Sequence, residues 1–236
     1  MEEFERIRLL IGKEKTDRLE KARVAVFGVG GVGGNCVEAL VRSGIGGIDI
    51  FDDDDVSVSN INRQIIALHS TVGKAKVDVM KDRIHDINPN CSVHVYKMFF
   101  LPNNSNDIDF GQYDYVVDAI DTVSGKIEII MKAKEAGVPV ISSMGTGNKL
   151  HPEMLKIEDI YKTSVCPLAR VMRHEMKKRN VESLKVLYSQ EKPIEPIEVV
   201  KNADSGKIIP GSSAFVPPTA GMIIASQVIR DILNIE

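Results

Sequence analysis

The residues best suited to chemistry fall in four short stretches. The first is Gly28-Val-Gly30-Gly31-Val-Gly33-Gly34. Glycine allows a tight turn and leaves no Cβ between backbone and ligand, and a helix opening there offers free N–H groups and a positive partial charge. Such a loop suits a phosphate, and Gly28, Gly30, Gly31 and Gly33 are its candidate contacts; the motif alone does not separate a dinucleotide from ATP. The second stretch is Asp52-Asp53-Asp54-Asp55. Asp52 ends an apolar run, where nucleotide-binding folds place the ribose partner. Asp54 is a second candidate, while Asp53 and Asp55 read as a solvated acidic turn.

The third stretch, Ser59-Asn60-Ile61-Asn62-Arg63-Gln64 with Lys74-Ala75-Lys76 beyond it, separates two kinds of nucleotide. A dehydrogenase cofactor needs no such cations near its pyrophosphate. A triphosphate under attack by a carboxylate does, because each like-charged pair at about 4 Å costs about 4 kcal/mol at an effective dielectric near 20. Arg63 and Lys76, joined by Arg6, are the candidates to neutralise that charge and hold the phosphate in line. The fourth stretch is Asp118-Ala-Ile-Asp121. Asp121 is placed to hold Mg²⁺ on the phosphates, or to cap the helix that follows; the two roles are compatible.

These stretches need elements to position them. Arg23-Val-Ala-Val-Phe-Gly28 is a short apolar run of the kind that forms a buried parallel strand, and a helix is predicted from Gly31 to Ser43. Strands are predicted over 48–52, 92–96, 115–119 and 138–143, with helices over 73–88 and 123–136. That alternation predicts an α/β fold, a doubly wound, Rossmann-like, mainly parallel sheet. After Gly145 the rhythm changes. A basic helix over 168–179, a Pro-containing stretch over 192–210 and a final helix over 219–233 form a C-terminal, substrate-side extension. The predicted division is a nucleotide-binding core with an N-terminal arm over 1–145 and a substrate-side region with a packing helix over 146–236.

Composition narrows the function. Of 236 residues 43% are hydrophobic and 27% charged, an ordinary globular balance. With no Trp, 5% aromatics and a net charge of −3, a broad base-stacking platform and general polyanion binding are both disfavoured. Cys36, Cys91 and Cys166 are far apart, which excludes a cysteine-rich zinc knuckle or a disulfide framework and fits a reducing cytoplasm. No secretory signal or membrane span is visible, and His69, His85, His94 and His151 show no ligand spacing.

Taken together, Gly28-x-Gly-Gly-x-Gly33, Asp52-x-Asp54, Ser59-Asn-x-x-Arg-Gln64, Gly73-x-x-Lys76 and Asp118-x-x-Asp121 resemble the ThiF/MoeB/HesA superfamily, the adenylating enzymes related to ubiquitin activators. Within it, Phe4-Glu-Arg6 through Gly12, Ile87-Asn-Pro89, Lys162-Thr-x-x-x-Pro-Leu168 and Ser213-Ala-Phe-Val-Pro217 resemble the branch that acts on threonylcarbamoyladenosine in tRNA. The resemblance implies ATP-dependent activation of the threonyl carboxylate beside the anticodon, and its cyclisation with loss of water. It implies Asp52 on the ribose, Asn60, Arg63 and Lys76 on the phosphates, Gln64 among the cofactor-binding residues, Asp121 on Mg²⁺, and Arg6 reaching the nucleotide of the partner subunit in a homodimer. The alternative is adenylation of the C-terminus of a ubiquitin-like sulfur carrier. Because the paired Cys-x-x-Cys motifs common among activators of such carriers are missing, no zinc is expected. An alkali ion in the loop after Gly145 and sulfur-relay partners remain open. Cys166 precedes a helix, where a thiolate would be stabilised, but reads as a packing or incidentally exposed residue, because ring closure within the substrate needs no enzyme thioester. Arg170, Arg173, Lys177, Lys178 and Arg179 are candidate tRNA phosphate contacts, though a basic helix is also an ordinary solvated face.

Overall fold

Four successive side chains of one short run, Val24, Ala25, Val26 and Phe27, are fully buried. A strand shielded on both faces belongs in the middle of a parallel sheet covered by helices on either side. The computed structural model, which describes residues 3–201, 206 and 208–235, has this strand, β1 (Arg23–Phe27), at its centre. On one side lie β2 (Gly47–Phe51) and β3 (Ser92–Tyr96). On the other lie β4 (Tyr115–Asp118), β5 (Val140–Ser143), β7 (Lys185–Ser189) and β6 (Leu155–Asp159). The order is β3-β2-β1-β4-β5-β7-β6, parallel except for β6, which runs antiparallel to β7 at the edge. Phe27 pairs with Phe51 and with Asp118, so three strands end level with one another.

Alternate residues of β1 feed two cores. Val24 and Val26 face α3 (Gly33–Arg42), α4 (Lys76–Ile87) and α7 (Val216–Leu233), meeting Val37, Leu40, Met80, Ile224 and Val228. Ala25 and Phe27 face α5 (Val123–Glu135) and α6 (Pro167–Lys178), with Ile129, Met172 and Met176. Phe27 stacks on Phe51 at 4.2 Å between ring centroids, and Phe51 on Tyr96 at 4.3 Å. Helix α7 lies so close to α3 that a Cβ at Gly221 would stand 2.3 Å from the Val32 carbonyl oxygen. Two N-terminal helices, α1 (Glu5–Ile11) and α2 (Lys13–Leu19), precede the sheet.

The doubly wound sheet predicted from sequence is present, with shifted ends. Helix α4 starts at Lys76 rather than near Gly73, because Asp55 and Ala75 form an isolated bridge and Gly73 and Lys74 are bonded to Val56. Helix α7 starts at Val216, three residues before the predicted position, with prolines occupying its first turn, where a missing N–H costs nothing. Strands β6 and β7 extend the sheet across the 145/146 division, so the segment after Gly145 adds to the same sheet. No helix among the described residues is long and apolar enough to cross a membrane.

Helices α3 and α4 are joined by an ion cluster. Buried Glu38 accepts from Arg83 Nε at 2.6 Å and Nη2 at 2.9 Å, and from Arg42 Nε at 2.6 Å. Burial pushes its carboxyl up, but the two guanidiniums outweigh that and hold it below the ordinary 4.5. A carboxyl depressed in the folded state stabilises above its unfolded value, and that stability is lost as pH falls through the folded value. Thermal melting should therefore weaken below about pH 4.5. Glu38→Gln should flatten that acid slope and cost about 1–3 kcal/mol at pH 7, measured by urea unfolding at both pH values.

Candidate functional site

The carboxyl ends of β1, β2 and β4 make the site. Beyond Phe27, the Gly28 N–H donates to the Phe51 carbonyl at 2.7 Å and the chain turns at φ +91°, in the left-handed region. A Cβ at Gly28 would stand 2.8 Å from the Ala119 carbonyl oxygen, and one at Gly33 only 1.8 Å from the Gly28 carbonyl oxygen. Both glycines are thus required by close approach of backbone to backbone. The nearest atom to a Cβ at Gly30 is Gln64 Nε2, 3.9 Å away, so the loop is open on that side. Helix α3 begins with no side-chain cap, the Gly34 N–H bonding to the Gly30 carbonyl at 3.0 Å, and a helix N-terminus of this kind suits an anion.

Asp52, just past β2, staples this loop. Its Oδ2 accepts from the Val29 N–H at 2.7 Å and its Oδ1 from the Asp54 N–H at 3.0 Å. Lys76 opens α4 and is buried, with Nζ 2.6 Å from Asp54 and 3.4 Å from Asp52. Asp52, Asp53 and Asp54 are the one group of three or more potential metal ligands brought together among the described residues. In the next turn Asn60 is nearly buried, and its Oδ1 accepts from the Ser57 N–H at 3.0 Å. Arg63 donates through Nη1 to the Ser59 carbonyl at 2.8 Å and to Asn62 Oδ1 at 2.9 Å. Its Cγ is 3.4 Å from where a Gly31 Cβ would be, so the side chain lies along the glycine loop. Gln64 is buried beside Gly30, and its Oε1 has no hydrogen-bond partner. A half-turn of that amide exchanges an acceptor for a donor.

The two aspartates of Asp118-Ala-Ile-Asp121 part company. Asp118 is fully buried, 3.0 Å from the equally buried Lys126 ammonium, and accepts from the Ser142 hydroxyl. Lys126 also donates to the Ile120 carbonyl at 2.8 Å, which fixes the loop touching Gly28. Asp121 is exposed, and its hydrogen bond is with the Thr122 hydroxyl at 3.4 Å. Thr122, not Asp121, occupies the N-cap position of α5. Lys126 has no glycine or acidic motif to betray it in the sequence; the usable signal was a lysine among the apolar positions of a predicted helix.

Past β5 the chain is held by bonds to its C-terminal segment. Asn148, at φ +56°, bonds both ways with Gly211 and accepts from the Ile194 N–H at 2.8 Å. Asn62 reaches the Ser212 carbonyl at 3.0 Å, so this C-terminal strap crosses from the β5 loop to the glycine loop. Lys149, unforeseen from sequence, is buried there; burial pushes its ammonium down against the opposing pull of Cys166 and Glu191. Cys166 is buried at the N-cap of α6, as a packing residue should be.

The basic helix divides. Arg173 donates to the Thr163 carbonyl at 2.6 Å and hydroxyl at 2.8 Å, while Lys178 and Arg179 pair with Glu175. Arg170 and Lys177 are exposed, without such partners among the described residues. Arg6 stands on exposed α1, whose neighbour Phe4 packs on Gly44, past the far end of α3 from the glycine loop.

The sequence profile of the ThiF family matches residues 4–236. The chain belongs to the ThiF family. This ThiF-family chain is 44% identical over 244 residues to a Bacillus subtilis protein named tRNA threonylcarbamoyladenosine dehydratase, across 99% of the chain and 96% of that relative. Its fold matches Escherichia coli tRNA N6-threonylcarbamoyladenosine dehydratase solved in complex with ATP, with a TM-score of 0.89 and 32% identity over 98% of this chain and 94% of that one. The same enzyme with AMP matches equally well.

The Asp118–Lys126 pair should be indispensable to this edge. Lys126→Met strands a carboxylate out of water and should cost about 3–5 kcal/mol in urea unfolding; pairing it with Asp118→Asn should restore part of the loss.

Proposed function

We propose that this protein uses ATP to activate the threonyl carboxylate of threonylcarbamoyladenosine in tRNA and closes it into a ring with loss of water. The observation that carries the reading is the open, uncapped glycine loop flanked by Lys76, Arg63 and the unpartnered Gln64 amide, in a chain 44% identical to a dehydratase of that name. A carboxylate is a poor electrophile until one oxygen becomes a good leaving group. Attack of a carboxylate oxygen on a phosphorus of ATP breaks a phosphoanhydride bond, expels the remainder of the nucleotide and leaves a mixed anhydride. A nucleophile of the same modified base then bonds to the carbonyl carbon, gives up its proton and expels the phosphorylated oxygen. The loop N–H groups and Gly28, Gly30, Gly31 and Gly33 seat the phosphates. Asp52 orients the ribose end; Asn60, with its amide nitrogen, joins Gln64, Arg63 and Lys76 on the phosphates. Lys76 leaves Asp54, whose carboxylate is 64% exposed and readily rehydrated, for the phosphate charge. Asp121 fits Mg²⁺, being an exposed carboxylate on the ligand edge, and the ion would offset phosphate charge there. The segment 146–236 supplies the substrate side, where Arg170 and Lys177 are free to meet tRNA phosphates. The three cysteines are free and buried, consistent with action in the cytoplasm.

Arg6 serves the site of a second copy. In its own subunit the ten-residue α3, about 15 Å long, separates the two ends. Helix α1 also presents exposed Leu9 and Leu10, suited to a subunit contact.

Mass spectrometry of anticodon nucleosides after incubation with ATP and modified tRNA should show loss of one water. No loss, with ATP consumed instead on a Gly-Gly-ended carrier protein, would overturn the reading. Arg63→Ala should lower kcat by about 100- to 1,000-fold, as for one lost electrostatic donor. Mixing Arg6→Ala with Arg63→Ala subunits should restore about one quarter of wild-type activity, since half the dimers are mixed and each holds one intact site. Absence of recovery would place Arg6 at the site of its own subunit, and full activity of Arg6→Ala alone would place it outside the mechanism.

A further inference from the structure

Val165 is a β-branched residue at φ +51°, in a turn closed by the Cys166 N–H on the Ser164 carbonyl. Such residues avoid the left-handed region, so holding one there is a strain that the surroundings must impose. Its surroundings enforce it. The Arg173 guanidinium grips Thr163 at two points, Thr163 Oγ1 bonds back to Ile160 at 2.6 Å, and Cys166 is buried next door against the Gly145 backbone. The result is an apolar side chain, 43% exposed, at the mouth of a cavity of about 800 Å³. Pro167 and exposed Val171 supply further apolar wall, Arg170, Arg173 and His174 the rim, and no carboxylate lines it.

We propose that this cavity receives the purine ring of the target adenosine, extruded from the RNA stack, with Arg170 and His174 on the flanking phosphates. This rests on the function proposed above. Cys166 lies against Gly145, which follows β5, and β5 is two strands from β1 in the sheet order, so the cavity stands on the same carboxyl edge of the sheet as the glycine loop. Four bonds separate the adenine N6 from the threonyl carboxyl carbon, about 5 Å when extended. A base held on this edge therefore carries its carboxylate on a short tether, at the end of the sheet that bears the glycine loop. Apolar walls with a cationic rim suit a flat heterocycle on a polyanion, and an acidic protein that leaves Arg170 and Lys177 unpaired on this face has charge complementarity with RNA. Arg173 is then a positioning residue for the turn, not a phosphate contact.

The test uses the full chain and an anticodon stem–loop with 2-aminopurine, which brightens on unstacking, at the target position. Wild type should raise the emission. Val171→Asp and Val165→Gly should abolish the rise at RNA concentrations that saturate wild type, and raise KM for modified RNA about tenfold with ATP affinity unchanged. Val165→Gly relieves the turn, so its melting temperature should not fall, which separates lost wall from lost fold. Arg170→Ala should keep the emission change but weaken RNA binding and reduce its salt dependence. An absent rise with wild type, or unchanged emission and KM in both valine variants, would overturn the proposal. If wild type fails to dehydrate modified RNA yet shows an emission rise that Val171→Asp removes, the pocket stands and the reaction is wrong.

Discussion

A carboxylate and an ammonium removed from water at the end of β4 hold the working edge together. Asp118 binds Lys126 from α5 and Ser142 from β5, and Lys126 in turn bonds the Ile120 carbonyl. That carbonyl belongs to the loop whose Ala119 oxygen presses on Gly28. Two adjacent strands, helix α5 and the loop against the glycine turn are therefore tied by one cluster. Its net contribution to stability is modest, because desolvation of two charges offsets most of their attraction. Its contribution to geometry is not: an apolar pair would pack there without dictating where residues 119–121 run. The glycine loop has close-packed backbone on one side because that run is defined, and open space on the other.

The cations of the site are held differently. Lys76 is buried, yet its nearer partner, Asp54, is largely in water, and Arg63 is bonded to a carbonyl and an amide rather than to a carboxylate. Neither interaction is strong enough to compete with a polyphosphate carrying about four charges. The arrangement pre-aligns both side chains along the loop, so little rotamer entropy is lost when a phosphate replaces their resting partners. The Gln64 amide, buried beside Gly30 with its oxygen unpartnered, points the same way. A polar group held unsatisfied in this fashion costs free energy that a bound ligand returns.

The edge of the sheet was legible because glycines, prolines and apolar runs speak through local backbone physics. Strands β1, β3 and β4 and the helices between them announce themselves by runs and period. The N-terminal helices α1 and α2 and the edge pair β6–β7 do not. Strand β6 alternates Leu, Lys, Ile, Glu and Asp with every residue partly exposed or exposed, and its place is set by the antiparallel register with β7, a tertiary fact. Asp118 and Asp121 look equivalent in sequence; strand register decides that one is buried and the other exposed. Similarly, nothing in the spacing of the basic helix distinguishes Arg173, which turns inward to Thr163, from Arg170, which does not.

Cys166 shows why this edge carries few reactive groups. It borders the cavity proposed for the base, yet its side chain is buried at the start of α6 against the backbone of Gly145. No such attack is needed when the nucleophile is attached to the electrophile. A well-oriented intramolecular group acts at an effective concentration of about 10⁵–10⁸ M, which no second side chain could match. What remains for the protein is to charge-balance the phosphates, keep the activated carboxylate away from water and hold the base still. Those demands call for backbone donors, guanidiniums and an apolar wall, and these are the groups that the fold collects where β1, β4 and β5 end.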